Sequence, residues 1–277
     1  MPDPLTDSTP GAGPATGDLA DRDLLIDIGR TAGDLAMGYF GGTLEVREKP
    51  GEGPVSEADL AVDRLLEERL RAARPAYGWL SEESADSDAR LGAGRVFLVD
   101  PIDGTRAFIA GEKGWSVALA VVEAGMVRAA AVVLPARGEI YAAALGAGAT
   151  LDGAAIAGST RAVTDGATML AAKPTLAPEH WPGGVPSVKR TLRSSLAWRL
   201  CLVAAGRFDT LLTVRPCWEW DVAAGSLIAA EAGIAVSDAI GAPLVFNRLP
   251  PRTPGLMAVP RAMQAEMLTR RGQRRGA

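Results

Sequence analysis

Two aspartates separated by two residues could bind a cation together. Asp100 and Asp103 lie in the segment VDPIDGT, after the short apolar run 96–99. That run is typical of a buried strand, Pro101 keeps the residue before it extended, and Asp-Gly favours a turn. We therefore expect both carboxylates and the Ile102 carbonyl to point to one place at a sheet edge. Hard divalent cations prefer such oxygen ligands, although a plain strand-turn would use the same aspartates for local hydrogen bonds.

Glu82 is a further candidate, because it follows a predicted strand at 77–80. If this strand and the next one are neighbours in a sheet, their ends bring Glu82 close to Asp100. Adjacent glutamates such as Glu82 and Glu83 are otherwise most often solvated surface charge. The sequence therefore predicts a second carboxylate near the first two.

Asp59 and Asp221 stand at the predicted starts of helices. Ser56 and Asp59 form a capping-box pattern, which by itself explains the aspartate. Asp221 is predicted as the N-cap of a helix that runs through Ala232. Either carboxylate could also face a cation from the first turn of its helix.

The hydrophobic pattern predicts an α/β protein. Apolar residues at helical spacing place the first helix at 21–40, and alternating apolar runs joined by Gly and Pro predict hairpins. These runs are too apolar for one face in water, so helices should cover the sheet. The remaining predicted elements are strands at 44–46, 115–122, 126–134, 139–144, 168–172 and 209–214, and a helix at 196–205.

The chain of 277 residues is long enough for two packed halves. Residues 1–18 are rich in Pro, Gly, Thr and Asp, so we expect a disordered leader. An N-terminal α/β half that carries the candidate site loops is predicted at 19–153. A C-terminal α/β half that completes the site is predicted at 154–277.

Composition excludes several function classes. The net charge of −4 does not indicate nucleic-acid binding, and no apolar run approaches the ~18 residues of a membrane span. Cys201 and Cys217 form neither a disulfide framework nor a zinc pattern, and His180 is the single histidine. We therefore expect a cytoplasmic protein without histidine-based chemistry.

Four segments resemble motifs of the inositol monophosphatase superfamily. They are KPGEGPVSEAD, SEES, DPIDGT and WDVAAG, and they occur in the family order with family-like spacing. The resemblance spans roughly Asp21 to Met267. Two positions depart from the family pattern, since Ser81 and Ile234 stand where the family often has glycine.

The resemblance implies a layered αβαβα sandwich of the inositol monophosphatase and sugar phosphatase type. It implies a phosphomonoesterase that uses two or three Mg²⁺ ions for in-line attack by metal-activated water, without a covalent phosphoenzyme. Lys49 would lie on a mobile loop near a metal. The implied metal ligands are Glu82, Asp100, the Ile102 carbonyl, Asp103 and Asp221, and the implied catalytic residues are Glu82, Thr105 and Asp59.

Substrate contacts are expected from Asp103, Gly104, Thr105, Ser194 and Asp221. Gly104 and Thr105 amides could hold phosphate if a short helix begins there. Ser194 and Ser195 are also plain N-cap candidates for the helix at 196–205.

Arg215 could bind a second phosphate by a forked contact, or could pair with a surface carboxylate. Arg106 and Ala107 after DPIDGT are more similar to the nucleotidase branch, and Val214 stands where an inositol-binding acidic residue is often found. We therefore favour 3′-phosphoadenosine 5′-phosphate slightly. Inositol 1-phosphate stays close, and histidinol phosphate, a sugar bisphosphate and a non-enzymatic metal-binding relative stay open. The family also implies inhibition by Li⁺ and often a homodimer.

Overall fold

The computed structural model describes residues 14–49 and 53–272. Within these ranges the helices are α1 (Thr16–Tyr39), α2 (Glu57–Ala73), α3 (Thr105–Ile109), α4 (Leu196–Ala204), α5 (Glu219–Glu231) and α6 (Gln264–Arg270). The strands are β1 (Val46–Lys49), β2 (Gly53–Ser56), β3 (Gly78–Ser81), β4 (Arg95–Asp103), β5 (Ser116–Glu123), β6 (Met126–Leu134), β7 (Glu139–Ala144), β8 (Ala149–Leu151), β9 (Ala154–Ile156), β10 (Thr168–Leu170), β11 (Lys189–Thr191), β12 (Thr210–Thr213), β13 (Cys217–Trp218), β14 (Ile234–Ser237), β15 (Arg252–Thr253) and β16 (Leu256–Pro260).

The larger sheet has seven strands in the described residues, in the order β3-β4-β5-β6-β7-β8-β9. β3 and β4 run parallel, and every following pair is antiparallel. Alternate residues face opposite sides because the side-chain period of a strand is two. Phe97 and Leu119 face α1 and α2, whereas Leu98 and Ala120 face α4 and α5.

The second sheet has the order β11-β10-β12-β16-β14 and mixes parallel and antiparallel pairs. One face shares a hydrophobic core with α4, α5 and the larger sheet. The other face packs on α6 through Met257, Met263 and Met267. The layers are therefore helix, sheet, helix, sheet and helix, and the predicted αβαβα sandwich is confirmed.

The first helix begins at Thr16, five residues before its predicted start, so the predicted leader at 1–18 overlaps its first turn. Asp18 is fully buried and pairs with Arg95 at 2.8 Å and with Arg128 at 2.7 Å. The composition of residues 1–18 could not predict these ion pairs, because Arg95 and Arg128 lie on β4 and β6, far away in sequence. Residues 1–13 lie outside the described residues.

Other predicted boundaries also need correction. β4 continues through Asp103 across a bulge, so Asp100 lies inside the strand instead of at its end. β9 at 154–156 pairs with β8, so the predicted boundary between residues 153 and 154 splits a hairpin of the larger sheet. The predicted strand at 44–46 is the first strand of the β1–β2 hairpin, shifted to 46–49. No helix in the described ranges is long and apolar enough to cross a membrane.

Candidate metal and phosphate site

Three carboxylates from different parts of the chain converge at one end of the larger sheet. Glu82, Asp100 and Asp221, here called the acidic triad, each offer an oxygen, and these oxygens lie within 4.8 Å of one another. The parallel β3–β4 register pairs Ser81 with Val99, which places the next residues, Glu82 and Asp100, side by side. Asp221 comes from the first turn of α5. It is not the predicted N-cap, because α5 begins two residues earlier at Glu219.

The acidic triad is electrostatically unfavourable without a cation. Burial, and then the neighbouring carboxylates, raise the pKa of Asp100 and of Asp221 well above the ordinary range. Asp100 Oδ1 is buried and accepts no hydrogen bond from residues 14–49 or 53–272. A buried oxygen without a donor, inside a cluster of carboxylates, suits a hard divalent cation. The residues present therefore fit a metal.

Asp103 lies beside the acidic triad but is already held by α4. Its carboxylate accepts hydrogen bonds from Ser195 Oγ at 2.6 Å and from the Leu196 and Ala197 amides at 3.2 and 2.7 Å. Ser195 also caps α4 by accepting from the Trp198 amide. Asp103 therefore fixes the N-terminus of α4 against β4, a role that the sequence did not predict.

Thr105 and Asp59 form a pair at the side of the site. The Thr105 hydroxyl lies 3.1 Å from Asp59 Oδ1 and 3.2 Å from the Ile102 carbonyl oxygen. Asp59 Oδ2 accepts from both the amide and the hydroxyl of Ser56, so the predicted capping box is confirmed. α3 begins at Thr105, and its N-cap Gly104 has a φ of +104°, which glycine adopts without strain.

Lys49 reaches the site from the end of β1. Its ammonium lies 2.9 Å from Glu83 Oε1 and 3.3 Å from Glu82 Oε1. Burial alone would lower the pKa of Lys49, but the two glutamates outweigh burial and leave this pKa raised. Burial raises the pKa of Glu83 to about 7. Residues 50–52, which are half of the predicted loop at 49–54, lie outside the described residues.

A cavity of about 360 Å³ opens over these groups. Most of the predicted site residues line it, together with two arginines and an indole that the sequence analysis did not assign to the site. The predicted residues in its wall are Glu82, Asp100, Asp103, Gly104, Thr105, Ser194 and Asp221, and the others include Arg106, Arg199 and Trp218.

Arg199 is the cation that faces the site from α4. Its Nε and Nη2 donate to the carbonyl oxygens of Ser195 and Ser194 at 3.2 and 2.9 Å, and it pairs with no described carboxylate. Burial lowers its pKa, while Asp103 opposes that shift. Because Arg199 follows Ser195 by one helical turn, the two residues share a face, which is the signal that could have identified it.

Arg215 does not lie in the cavity wall. It is exposed in the segment between β12 and β13 and is not among the residues that surround the acidic triad. Closeness in sequence to the WD motif therefore does not place Arg215 in the cavity wall, which this part of the chain lines with Trp218 and Asp221. Ser194 does line the cavity, but its hydroxyl donates to the Gly114 carbonyl.

Comparison with known proteins identifies the family. A model of the inositol monophosphatase family matches residues 21–273. A 3′-phosphoadenosine 5′-phosphate phosphatase from Mycobacterium leprae is 34% identical, over 86% of this chain and 88% of that protein. An inositol-1-monophosphatase from Rhizobium meliloti is 35% identical, over 72% of this chain and 77% of that protein. The crystal structure of the extragenic suppressor protein suhB from Bartonella henselae superimposes with a TM-score of 0.79 at 25% identity, over 91% of this chain and 98% of that one.

A layered α/β sandwich that carries a carboxylate cluster at one end of its larger sheet is suited to metal-dependent chemistry on phosphate. The chain belongs to the inositol monophosphatase family, which is metal-dependent and acts on small phosphorylated substrates. It is a phosphoric monoester hydrolase, so the alternative of a non-enzymatic relative is set aside.

Proposed function

We propose that this enzyme is a Mg²⁺-dependent phosphomonoesterase, and that 3′-phosphoadenosine 5′-phosphate is its preferred substrate. The observation that carries the metal assignment is Asp100 Oδ1 within the acidic triad, which is buried and has no hydrogen-bond partner in the part of the chain that the structure describes. Oxygen-only ligands favour Mg²⁺ or a similar hard cation over zinc or copper. Glu82, Asp100, Asp221, the Ile102 carbonyl and Asp103 would hold two or three ions.

The bound cations would neutralise phosphate charge and lower the pKa of a water molecule. The protein groups then position the reactants. Thr105, held between Asp59 and the Ile102 carbonyl, orients the attacking water together with Glu82. Gly104, Thr105 and Asp221 all line the cavity. Gly104 and Thr105 would face the phosphate, and Asp221 would lie near the leaving oxygen. Lys49 adds positive charge from the hairpin side.

The substrate assignment rests on Arg199. Arg199 is half-buried and contacts no carboxylate among residues 14–49 and 53–272, so an anionic group on the ligand would offset the cost of removing its charge from water. A second phosphate on the substrate supplies such a group, and Arg106 in the same wall adds to the positive charge. The 34% identical relative from Mycobacterium leprae, named for a bisphosphorylated nucleotide, supports the same choice.

Inositol 1-phosphate is the second candidate. The 35% identical relative from Rhizobium meliloti is named for that activity. Against inositol 1-phosphate, the segment before β13 offers no carboxylate to inositol hydroxyls at Val214, where the family often has an acidic residue, or at the neighbouring Arg215. The sugar bisphosphates and histidinol phosphate rank below both.

The test is phosphate release with Mg²⁺ from 3′-phosphoadenosine 5′-phosphate, inositol 1-phosphate and histidinol phosphate at matched concentrations. We expect a clear preference for the nucleotide. Arg199→Ala should lower kcat/KM for the bisphosphate by about 10- to 100-fold, which corresponds to one or two charged hydrogen bonds, and should spare a monophosphate. Arg215→Ala is the matched arginine control and should leave both substrates unchanged. A preference for inositol phosphate in the wild type would refute the substrate assignment while leaving the metal site intact.

The homodimer, the inhibition by Li⁺ and the cytoplasmic location follow only from the family resemblance and the composition, and they stay predictions.

A further inference from the structure

Asp63 is a buried carboxylate on α2 that the proposed reaction does not use. It is 6% exposed. Its Oδ1 accepts a hydrogen bond from Ser81 Oγ at 2.5 Å, and its Oδ2 accepts one from Ser84 Oγ at 2.6 Å. These serines stand on either side of Glu82 and Glu83. One carboxylate on the helix therefore holds both ends of the segment that carries the first member of the acidic triad.

Other contacts fix the backbone of this segment more than the Glu82 side chain. The Glu82 amide donates to the Val99 carbonyl at 3.2 Å, which continues the β3–β4 pairing by one residue. Trp79 Nε1 donates to Ser84 Oγ at 3.2 Å. The Glu82 carboxylate itself contacts Lys49 at 3.3 Å. The direction of that carboxylate therefore depends on how the two flanking serines are held.

The chemistry of Asp63 suits this task. An ionised carboxylate has two acceptor oxygens, so it can hold both hydroxyls at once, and such charge-assisted hydrogen bonds are about twice as strong as neutral ones. Asparagine at the same place would offer a single acceptor oxygen and a donating amide, so one serine would have to accept instead of donate, and neither hydrogen bond would be assisted by charge. In the described residues Asp63 has no ion pair that would otherwise account for its burial.

We propose that Asp63 is a positioning residue for the metal site: it holds Ser81 and Ser84 so that Glu82 points into the acidic triad, and it thereby sets the affinity for the divalent cation without contacting that cation or the substrate. The inference rests on the proposed metal dependence of the enzyme. It assigns a function to a buried group that could otherwise be explained as a structural tie between α2 and β3.

The test measures Mg²⁺ binding by calorimetry on the full chain, and separately the Mg²⁺ and substrate concentrations at half-maximal activity. Asp63→Asn should weaken Mg²⁺ binding by about 10- to 100-fold, the usual effect of losing a group that orients a metal ligand. At saturating Mg²⁺ we expect kcat to recover and KM for the substrate to stay near the wild-type value. Ser81→Ala and Ser84→Ala keep the charge of Asp63 but each removes one hydrogen bond, so each should weaken Mg²⁺ binding by several-fold.

Asp209→Asn is the matched control. Asp209 is another carboxylate that accepts from a serine and a threonine hydroxyl, Ser159 and Thr168, but it lies at the start of β12 in the second sheet. That variant should lose stability with unchanged Mg²⁺ binding.

Two results would overturn the proposal or its basis, and they differ. If both serine variants bind Mg²⁺ like the wild type, Asp63 does not position Glu82 through these serines, even where Asp63→Asn fails to fold. Weaker binding by Asp63→Asn would in that case reflect its charge acting through space. If the wild type itself binds no Mg²⁺, the proposed function fails first.

Discussion

Replacing Asp100 by asparagine should stabilise the metal-free protein and at the same time abolish its response to Mg²⁺. Two full charges within 4.8 Å repel by about 3–4 kcal/mol at an effective dielectric constant of about 20. Part of this repulsion is already relieved in the metal-free protein, because the raised pKa values of Asp100 and Asp221 mean that the triad retains protons. We therefore expect Asp100→Asn to raise the free energy of unfolding by about 1–3 kcal/mol, or the Tm by roughly 2–10 °C for a chain of this size.

The assay is thermal and denaturant unfolding in the presence of a chelator and again with excess Mg²⁺. Wild-type protein should gain stability from Mg²⁺ because the ion binds only the folded state, whereas Asp100→Asn should gain little and should release no phosphate. Asp100 Oδ1 accepts no hydrogen bond from the described residues, so the substitution removes no hydrogen bond at that atom. A metal-free variant less stable than the wild type, or one with the full stabilisation by Mg²⁺, would show that the triad is not a cation site.

Three further outcomes are expected. Asp103→Asn should destabilise the metal-free protein by about 2–4 kcal/mol, as measured by denaturant unfolding, because it weakens charged hydrogen bonds that cap α4, and it should also reduce the stability gained from Mg²⁺; a neutral effect would contradict that role. Asp18→Asn should cost about 1–3 kcal/mol, since it removes the fully buried charge that pairs with Arg95 and Arg128, although Arg95 keeps Asp21 as a buried partner. Asp23→Asn at an exposed pair should cost under about 0.5 kcal/mol, and equal Tm changes for the two variants would refute the argument. The increase in Tm caused by Mg²⁺ should grow as the pH rises above the ordinary carboxyl pKa of about 4. The triad in the metal-free native protein has raised pKa values and so binds protons that the unfolded chain has released, and the metal-free protein therefore loses stability as pH rises. A Tm increase that is constant with pH would contradict the raised pKa values.

β3 to β7 of the larger sheet were predictable from sequence because their signals are local, whereas β8 and β9, of three residues each, were not predicted. The apolar runs of β6 and β7 are bounded by Gly and Pro, and their limits agree with the predicted 126–134 and 139–144. β11, β14 and β16 were not predicted. They are strands of three to five residues whose neighbours lie far away in sequence, and β16 pairs with both β12 and β14. Pairing between strands that are distant in sequence leaves no hydrophobic pattern that a short stretch of sequence would reveal.

The candidate site divides in the same way. Glu82 directly follows β3 and Asp100 lies beside it in β4, so strand pairing alone brings them together. Ser195 and Arg199 share a face of α4, but that face and Asp63 of α2 reach the site only through packing on the larger sheet, which no local pattern encodes. Arg215 was assigned to the site from its position in the chain, and the path of the backbone between β12 and β13 removes it.

The two helices between the sheets explain how the fold tolerates so much buried negative charge. The N-terminus of α4 contacts Asp103, whose carboxylate accepts hydrogen bonds from the first two amides of that helix. The N-terminus of α5 lies at the acidic triad, because Asp221 is in its first turn. A helix N-terminus carries a partial positive charge of about +0.5, so two of them offset part of the repulsion among the carboxylates before any cation binds. The same arrangement joins the two halves of the chain, because β3 and β4 belong to the first half whereas α4 and α5 belong to the second. A cation at the triad would therefore stabilise the contact between the halves as well as the site, and the stability gained from Mg²⁺ should be lost in variants that release either helix N-terminus.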